Sequence, residues 1–228
     1  MLGLITRKDN GVNNINRYSD DVIQINKNEI ISLIQSIHRE GANLEGLIKK
    51  LESSDFFRAP ASTKYHGDYV GGLAEHSLNV YYNLKHLVDM KGLNDIITED
   101  NIIICGILHD MSKINTYELY NRNEKVYHEN GTKFDNLGKF DWQSVLSFKV
   151  KDDNNRFIYG NHEETSEFMI STFIPLEVCE SVAILNHHGG MGYDSIPTNT
   201  LSSKYVRYPL APLLHMADFL ATYIDEKK

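Results

Sequence analysis

The fold of this chain is decided by the stretch Ile102-Ile103-Ile104-Cys105-Gly106-Ile107-Leu108-His109-Asp110-Met111-Ser112-Lys113. Its apolar part predicts a buried helix, which ends in an imidazole beside a carboxylate, with an ammonium group three residues later. Buried charged groups are costly unless they are paired or bind a metal ion. Adjacent side chains of a regular helix point in different directions. We therefore expect His109 and Asp110 to turn toward one cation where the helix ends.

Length and charge narrow the class of protein. The 228 residues suffice for one large domain with its own core. The net charge of −8 argues against broad binding to long nucleic acid. No apolar stretch is long enough to cross a bilayer, and residues 1–8 lack the apolar segment of a signal peptide. We expect a cytoplasmic protein without a membrane partner, and no pattern indicates its oligomeric state.

The two cysteines support the same compartment. Cys105 and Cys179 both lie in apolar surroundings. Two such residues are typical of core thiols in a reducing cytosol rather than of a disulfide.

The periodicity of apolar residues predicts a mainly helical protein with three regions. Residues 1–26 are polar and weakly patterned, which indicates an N-terminal arm. Residues 27–58 predict helices that pack on the domain formed by residues 59–228. Within that domain, Thr98 and Asn161 have the sequence context of helix N-caps, and the last helix begins near Tyr208 after a polar loop.

One segment departs from the helical pattern. Residues 140–150 and 156–159 read as two strands, and the polar residues 152–155 between them read as a turn. They predict a β-hairpin, placed at about residues 140–160. The expected fold class is mainly α, a single helical bundle with a small β-hairpin insertion.

Several histidines and carboxylates, in separate segments of the chain, each lie beside apolar residues. Imidazole and carboxylate ligands without thiolate suit Mn, Fe, Co, Ni or Zn, and with open positions also Mg. We therefore expect one or two divalent ions. The candidate ligands are His76, His109, Asp110, His162, His187, His188 and Asp218.

Each of these residues also has an ordinary explanation. His76 alone could be an ordinary histidine of a half-buried helix. His162 could be an ordinary solvated residue in the first turn of a helix. The pair His187-His188 can simply close a helix, because cations are favourable at helix C-termini. Asp218 can pair with His215 at the i, i+3 spacing. The order of all of them together is what favours a metal site.

Four stretches carry a resemblance to a known family. They are residues 65–77 with the segment Gly71-Gly72-Leu73-Ala74-Glu75-His76, residues 108–113, His187-His188-Gly189, and Leu214-His215-Met216-Ala217-Asp218. Over roughly residues 60–225 the chain resembles the HD-domain superfamily of metal-dependent phosphohydrolases. It is similar to HD-type 3′–5′ exoribonucleases and their stand-alone relatives, and more distantly to HD-GYP phosphodiesterases.

The resemblance implies a fold and a ligand set. The helical bundle would be an HD domain, and one metal ion would be held by His76, His109, Asp110 and Asp218. A second ion would share Asp110 as a bridge. Its other ligands would be His162 and one or both of His187 and His188, with His187 favoured slightly because it is closer to its helix.

The resemblance also implies a reaction. Metal-activated water would attack phosphorus, with Asp110 as a catalytic residue. Lys113 would hold a phosphate or stabilise the transition state, although a solvated lysine at a helix end is an equally good explanation. His66 and Arg58 are further candidates for binding the phosphate of the substrate.

Three functions remain open on the sequence. The first is a phosphohydrolase, a phosphatase or phosphodiesterase, acting on a small phosphate ester such as a nucleotide or cyclic (di)nucleotide. The second is a 3′–5′ exonuclease on short single-stranded RNA or DNA, although residues 1–50 are too short and too helical for the β-barrel module of those relatives. The third is a non-catalytic protein that binds a metal or nucleotide, which the intact set of ligands disfavours.

Overall fold

A computed structural model describes residues 15–189 and 198–226. Within these residues the chain is mainly helical with a small antiparallel sheet, which confirms the expected class. The eight α-helices of this part of the chain are α1 (Asp20–Gln35), α2 (Leu44–Ser53), α3 (Gly72–Lys91), α4 (Glu99–Leu108), α5 (His162–Ser171), α6 (Val178–Leu185), α7 (Thr198–Arg207) and α8 (Leu210–Leu220). Its strands are β1 (Tyr117–Tyr127), β2 (Lys133–Asp135) and β3 (Gly138–Val150).

Helix α3 organises the core, because it packs against α1, α4 and α8. Helix α4 is buried on all sides, with every residue from Asn101 to Leu108 inaccessible to solvent. A helix that is apolar all round belongs in the centre of a domain. Its C-terminal end, and the His109-Asp110 pair that follows, therefore lie inside the protein.

The helix starts that the sequence predicted are confirmed. Thr98 caps α4 in a reciprocal pair with Asn101, and Asn161 caps α5 in the same way with Glu164. Such capping boxes satisfy backbone N–H groups that have no partner within the helix. The second box places His162 in the first turn of α5.

Two glycines bring the preceding loop across the start of α3. Gly71 has a φ of 88°, in the left-handed region that favours glycine. A Cβ atom at Gly72 would collide with the carbonyl oxygen of Gly67. This close approach leaves the rings of His66 and His76 with their centroids 4.9 Å apart.

The predicted hairpin partner is wrong. Strand β3 pairs antiparallel with β1, from Tyr117 opposite Val150 to Tyr127 opposite Phe140, and β2 completes the strand order β1-β3-β2. Residues 156–159 form no strand, so the insertion spans 117–150 rather than about 140–160. Strand β1 was not predicted because many of its residues are polar. Residues 153–155 form a 3-10 turn instead of a hairpin turn.

Two boundaries also differ from the prediction. Helix α1 begins at Asp20, within the predicted N-terminal arm of residues 1–26, and Ile23 packs this polar helix against the core. Residues 1–14 of the predicted arm lie outside the described residues. Helix α7 occupies part of the predicted polar loop. The division of the chain at residues 27 and 59 stays a prediction.

Two expectations from the sequence concerned membrane-spanning helices and the state of the two cysteines. No helix of the described residues is long and apolar enough to cross a membrane. Both cysteines are free thiols, with Cys105 buried and Cys179 partly exposed.

Candidate metal centre

The side chains that the sequence singled out as metal ligands come together in the helical bundle, where His76, His109, Asp110 and His187 are buried and His162, His188 and Asp218 partly exposed. Subsets of them have ligand atoms within 4.8 Å of one another. Five parts of the fold supply them: α3 carries His76, the end of α4 carries His109 and Asp110, α5 carries His162, the segment after α6 carries His187 and His188, and α8 carries Asp218.

The carboxylate of Asp110 lies at the middle of this cluster and is 2% exposed. Its Oδ2 atom is 3.5 Å from Nε2 of both His76 and His109. Its Oδ1 atom is 2.6 Å from Nε2 of His162 and 3.7 Å from Nε2 of His187. The two oxygens of one carboxylate therefore face two different pairs of imidazoles.

The end of α4 explains how His109 and Asp110 serve the same site. The helix ends at Leu108, Asp110 has left helical geometry with a φ of −101° and a ψ of 23°, and residues 111–113 form a 3-10 turn. This change of backbone brings the two adjacent side chains within 3.5 Å of each other. The expected turn at the helix end is thus present.

His109 and His187 share a feature that points to a cation. The Nδ1–H group of His109 donates to the carbonyl of Gly106 at 3.1 Å, and that of His187 donates to the carbonyl of Ile184 at 2.7 Å. The Nε2 atom of each ring is buried without a hydrogen-bond partner among the described residues. Each ring therefore presents an acceptor lone pair to the interior of the cluster.

Both imidazoles are neutral at physiological pH. Burial lowers the pKa of His109 to about 4. Burial, together with the neighbouring His188, holds the pKa of His187 well below its usual range. Neutral imidazole is the form that binds a metal ion.

His76 lies between two carboxylates. Its Nε2 atom is 3.2 Å from Oδ1 of Asp218, and its Nδ1 atom is 2.9 Å from Oε1 of Glu226. Burial alone would lower the pKa of His76, but Glu226 and Asp218 raise it to about 10. In the metal-free protein the His76 ring is thus one of the cations that balance the carboxylates.

Lys113 is the second such cation. Its ammonium group is 2.5 Å from Oδ2 of Asp110 and is largely buried. Burial alone would raise the pKa of Asp110, but Lys113, His109 and His162 outweigh it and hold that pKa well below its usual range. The structure therefore places Lys113 at the cluster rather than on a solvated helix end.

The second half of the cluster has its own supporting contacts. Nδ1 of His162 is 2.6 Å from Oγ of Ser112, which fixes the ring that faces Asp110. Nδ1 of His188 is 2.7 Å from Oε1 of Glu163. His188 still groups with His162 and His187 as a set that could hold a metal ion, so both tandem histidines remain candidates.

The two candidates for binding substrate behave differently. Both ring nitrogens of His66 are buried without a hydrogen-bond partner among the described residues, and burial with the nearby His76 lowers its pKa to about 4. Arg58 is exposed and pairs with Asp20 at 2.9 Å. Arg58 therefore contacts α1 rather than the histidine and carboxylate cluster.

Sequence reasoning missed Glu226, Ser112 and Glu163. Glu226 lies eight residues after Asp218, a spacing that a regular α-helix leaves about 80° out of line, so helical periodicity gave no signal for it. Ser112 and Glu163 are each adjacent to a predicted functional residue and carried no pattern of their own.

A separate cavity of about 610 Å³ has Ile114, the residue after Lys113, in its lining, and no candidate ligand lines it. Its lining combines apolar side chains with amides and two cations. Among the lining residues are Lys50, Ile114, Asn115, Arg156, Phe157 and Met169.

The donor set fits a divalent ion of the first transition series. It includes the buried neutral imidazoles of His109 and His187, whose Nε2 lone pairs are directed inward, together with carboxylates, and such ligands suit Mn, Fe, Co, Ni and Zn. The buried groups could thus hold a metal ion. Comparisons of the chain with protein-family models, with curated proteins and with solved structures find no match.

Proposed function

We propose that this protein is a metal-dependent phosphohydrolase of the HD type, acting on a nucleotide or cyclic (di)nucleotide. The observation that carries the proposal is the pair of buried Nε2 atoms of His109 and His187, which face the carboxylate of Asp110 and have no hydrogen-bond partner among the described residues. A buried polar atom without a partner is destabilising, and a metal ion would remove that penalty.

The ligand assignment follows the imidazoles on either side of Asp110. His76, His109, Asp110 and Asp218 would hold one ion, and Asp110 would also help to hold a second ion. His162 with His187, His188 or both would complete that second site. A divalent ion bound here supplies a Lewis acid, which lowers the pKa of a water ligand toward neutrality and neutralises charge on a phosphate ester.

Lys113 has a role that depends on charge balance. In the metal-free protein its ammonium group neutralises Asp110. Where metal ions neutralise that carboxylate instead, the ammonium group is available for a non-bridging oxygen of a phosphate. His66, half-buried and uncharged next to His76, lies in the same region and can donate one hydrogen bond to the substrate.

The cavity whose lining includes Ile114 supports a substrate with a sizeable organic part. Its volume of about 610 Å³ lies in the range of pockets that bind small molecules. The aromatic and cationic side chains of Phe157, Arg156 and Lys50 suit a base and a further phosphate. Met169, on the same wall, lies seven residues after His162 in α5, or about 10 Å along the helix.

The test of this function starts with metal analysis of the purified protein, for which we expect about one to two equivalents of a transition metal per chain. The protein is then screened, with added Mn²⁺, against nucleotides, cyclic dinucleotides and short oligonucleotides, and the products are identified. Free phosphate or a linear dinucleotide supports the proposal. Nucleoside monophosphates released stepwise from an oligonucleotide would favour the exonuclease instead.

A matched pair of variants controls the screen. Asp110→Asn should lose turnover and bound metal while its helical circular dichroism remains, because both ion sites share this carboxylate. Asp89→Asn removes an exposed carboxylate of α3 and should leave both properties unchanged. Wild-type protein that is free of metal and ignores added Mn²⁺ would refute the proposal.

A further inference from the structure

We propose that Glu226 is a positioning residue of this centre, which holds the imidazole of His76 in the tautomer that presents Nε2 to the metal ion. The inference rests on the proposed metal centre and assigns a role to a residue that no sequence motif indicated. Its basis is the geometry around His76.

The carboxylate of Glu226 contacts the ring of His76 directly. Its Oε1 atom is 2.9 Å from Nδ1 of His76 and also accepts a hydrogen bond of 3.1 Å from Nδ2 of Asn79. The residue is 3% exposed, and its Oε2 atom has no hydrogen-bond partner among the described residues. A buried carboxylate is costly unless it is paired, so the pairing with His76 is what offsets its burial.

The backbone directs Glu226 toward His76. After α8 the chain forms a π-helical turn over Ala221–Asp225, and the N–H group of Glu226 donates to the carbonyl of Ala221 at 3.0 Å. This wider turn places Asp218 and Glu226 on opposite nitrogens of one imidazole.

His76 needs such a partner because of its place in the fold. His109 and His187 follow helix ends, where the carbonyls of Gly106 and Ile184 lie within reach of their rings and accept their Nδ1–H groups. His76 lies inside α3, where the local carbonyls are engaged in the helix. A side-chain acceptor must therefore hold its Nδ1–H group, and only then does Nε2 carry the lone pair that a metal ion requires.

The experiment compares metal affinity in Glu226→Ala, Glu226→Gln and Asp225→Ala. Loss of the acceptor in Glu226→Ala should weaken Mn²⁺ affinity about 10- to 100-fold in a competition titration. Glu226→Gln keeps an oxygen that accepts the Nδ1–H bond and should recover most of that loss. Asp225→Ala removes the adjacent carboxylate, which contacts Asn83 on the surface, and should remain within twofold of wild type.

A spectroscopic readout separates positioning from a structural role. Nitrogen NMR of Zn²⁺-loaded wild type and Glu226→Gln should show His76 protonated on Nδ1 and bound through Nε2. Wild-type affinity in Glu226→Ala, or metal bound through Nδ1 of His76, would overturn the inference alone. Absence of metal binding by the wild type would overturn the proposed function as well. If Glu226→Ala does not fold, the affinity and tautomer in Glu226→Gln decide.

Discussion

Replacement of Lys113 by methionine tests the charge balance of the centre in both of its states. In the metal-free protein the ammonium group of Lys113 lies 2.5 Å from the buried carboxylate of Asp110. Removal of one partner of a buried ion pair costs about 3–5 kcal/mol. We take the lower end, because the imidazole of His162 stays 2.6 Å from the other oxygen of the same carboxylate.

A loss of about 3 kcal/mol should lower the melting temperature of the metal-free variant by roughly 6–12 °C, at about 2–4 °C per kcal/mol for a chain of this size. The metal-loaded variant should lose much less, because the metal ions neutralise Asp110 themselves. By the thermodynamic cycle, Lys113→Met should bind metal more tightly, by up to about 100-fold. Its turnover should nevertheless fall, because the ammonium group proposed to hold the substrate phosphate is absent.

The assay is thermal denaturation of both proteins in EDTA and in saturating Mn²⁺, together with kcat/KM on the substrate found by the screen. Lys85→Met is the control, because Lys85 forms an exposed pair with Glu99 and such pairs contribute only about 0–1 kcal/mol. A metal-free melting temperature within 2 °C of wild type, or weaker metal binding by Lys113→Met, would refute the assignment of this lysine.

Three further predictions concern the fold around the centre. Arg39→Ala should lower the free energy of unfolding, measured in urea, by about 3–5 kcal/mol. The variant leaves the fully buried carboxylate of Glu180 without the two hydrogen bonds, of 2.8 and 2.9 Å, that Arg39 donates to it. A loss below about 1 kcal/mol would contradict this role of Arg39. Gly106→Ala should cost about 1–3 kcal/mol, since the new Cβ atom would lie 2.6 Å from Cα of Tyr81 where α3 and α4 touch, and unchanged stability would contradict this close packing. Burial raises the pKa of the Cys179 thiol to about 11, so its alkylation at pH 8 should be about tenfold slower than that of free cysteine and should speed up as pH rises toward that pKa. Reaction at the free-cysteine rate would contradict the raised pKa.

The sequence determined most of the helices and the chemical type of the candidate ligands. Thr98 and Asn161 mark helix starts through local hydrogen bonds, and the apolar run before His109 requires a buried helix. Such signals act within a few residues, so a linear pattern records them. The histidines and carboxylates could be selected for the same reason, because each lies next to apolar structure.

Only the tertiary structure decided which distant groups meet. The pairing of β1 with β3, the contact of Glu226 with His76, and the exposed pair of Arg58 with Asp20 depend on how separate elements pack. The orphaned Nε2 atoms of His109 and His187 are likewise visible only in three dimensions. Distances between remote segments follow from the packing of α3, α4 and α8 around one core, because local periodicity specifies which face of a helix is apolar but not which helix it contacts.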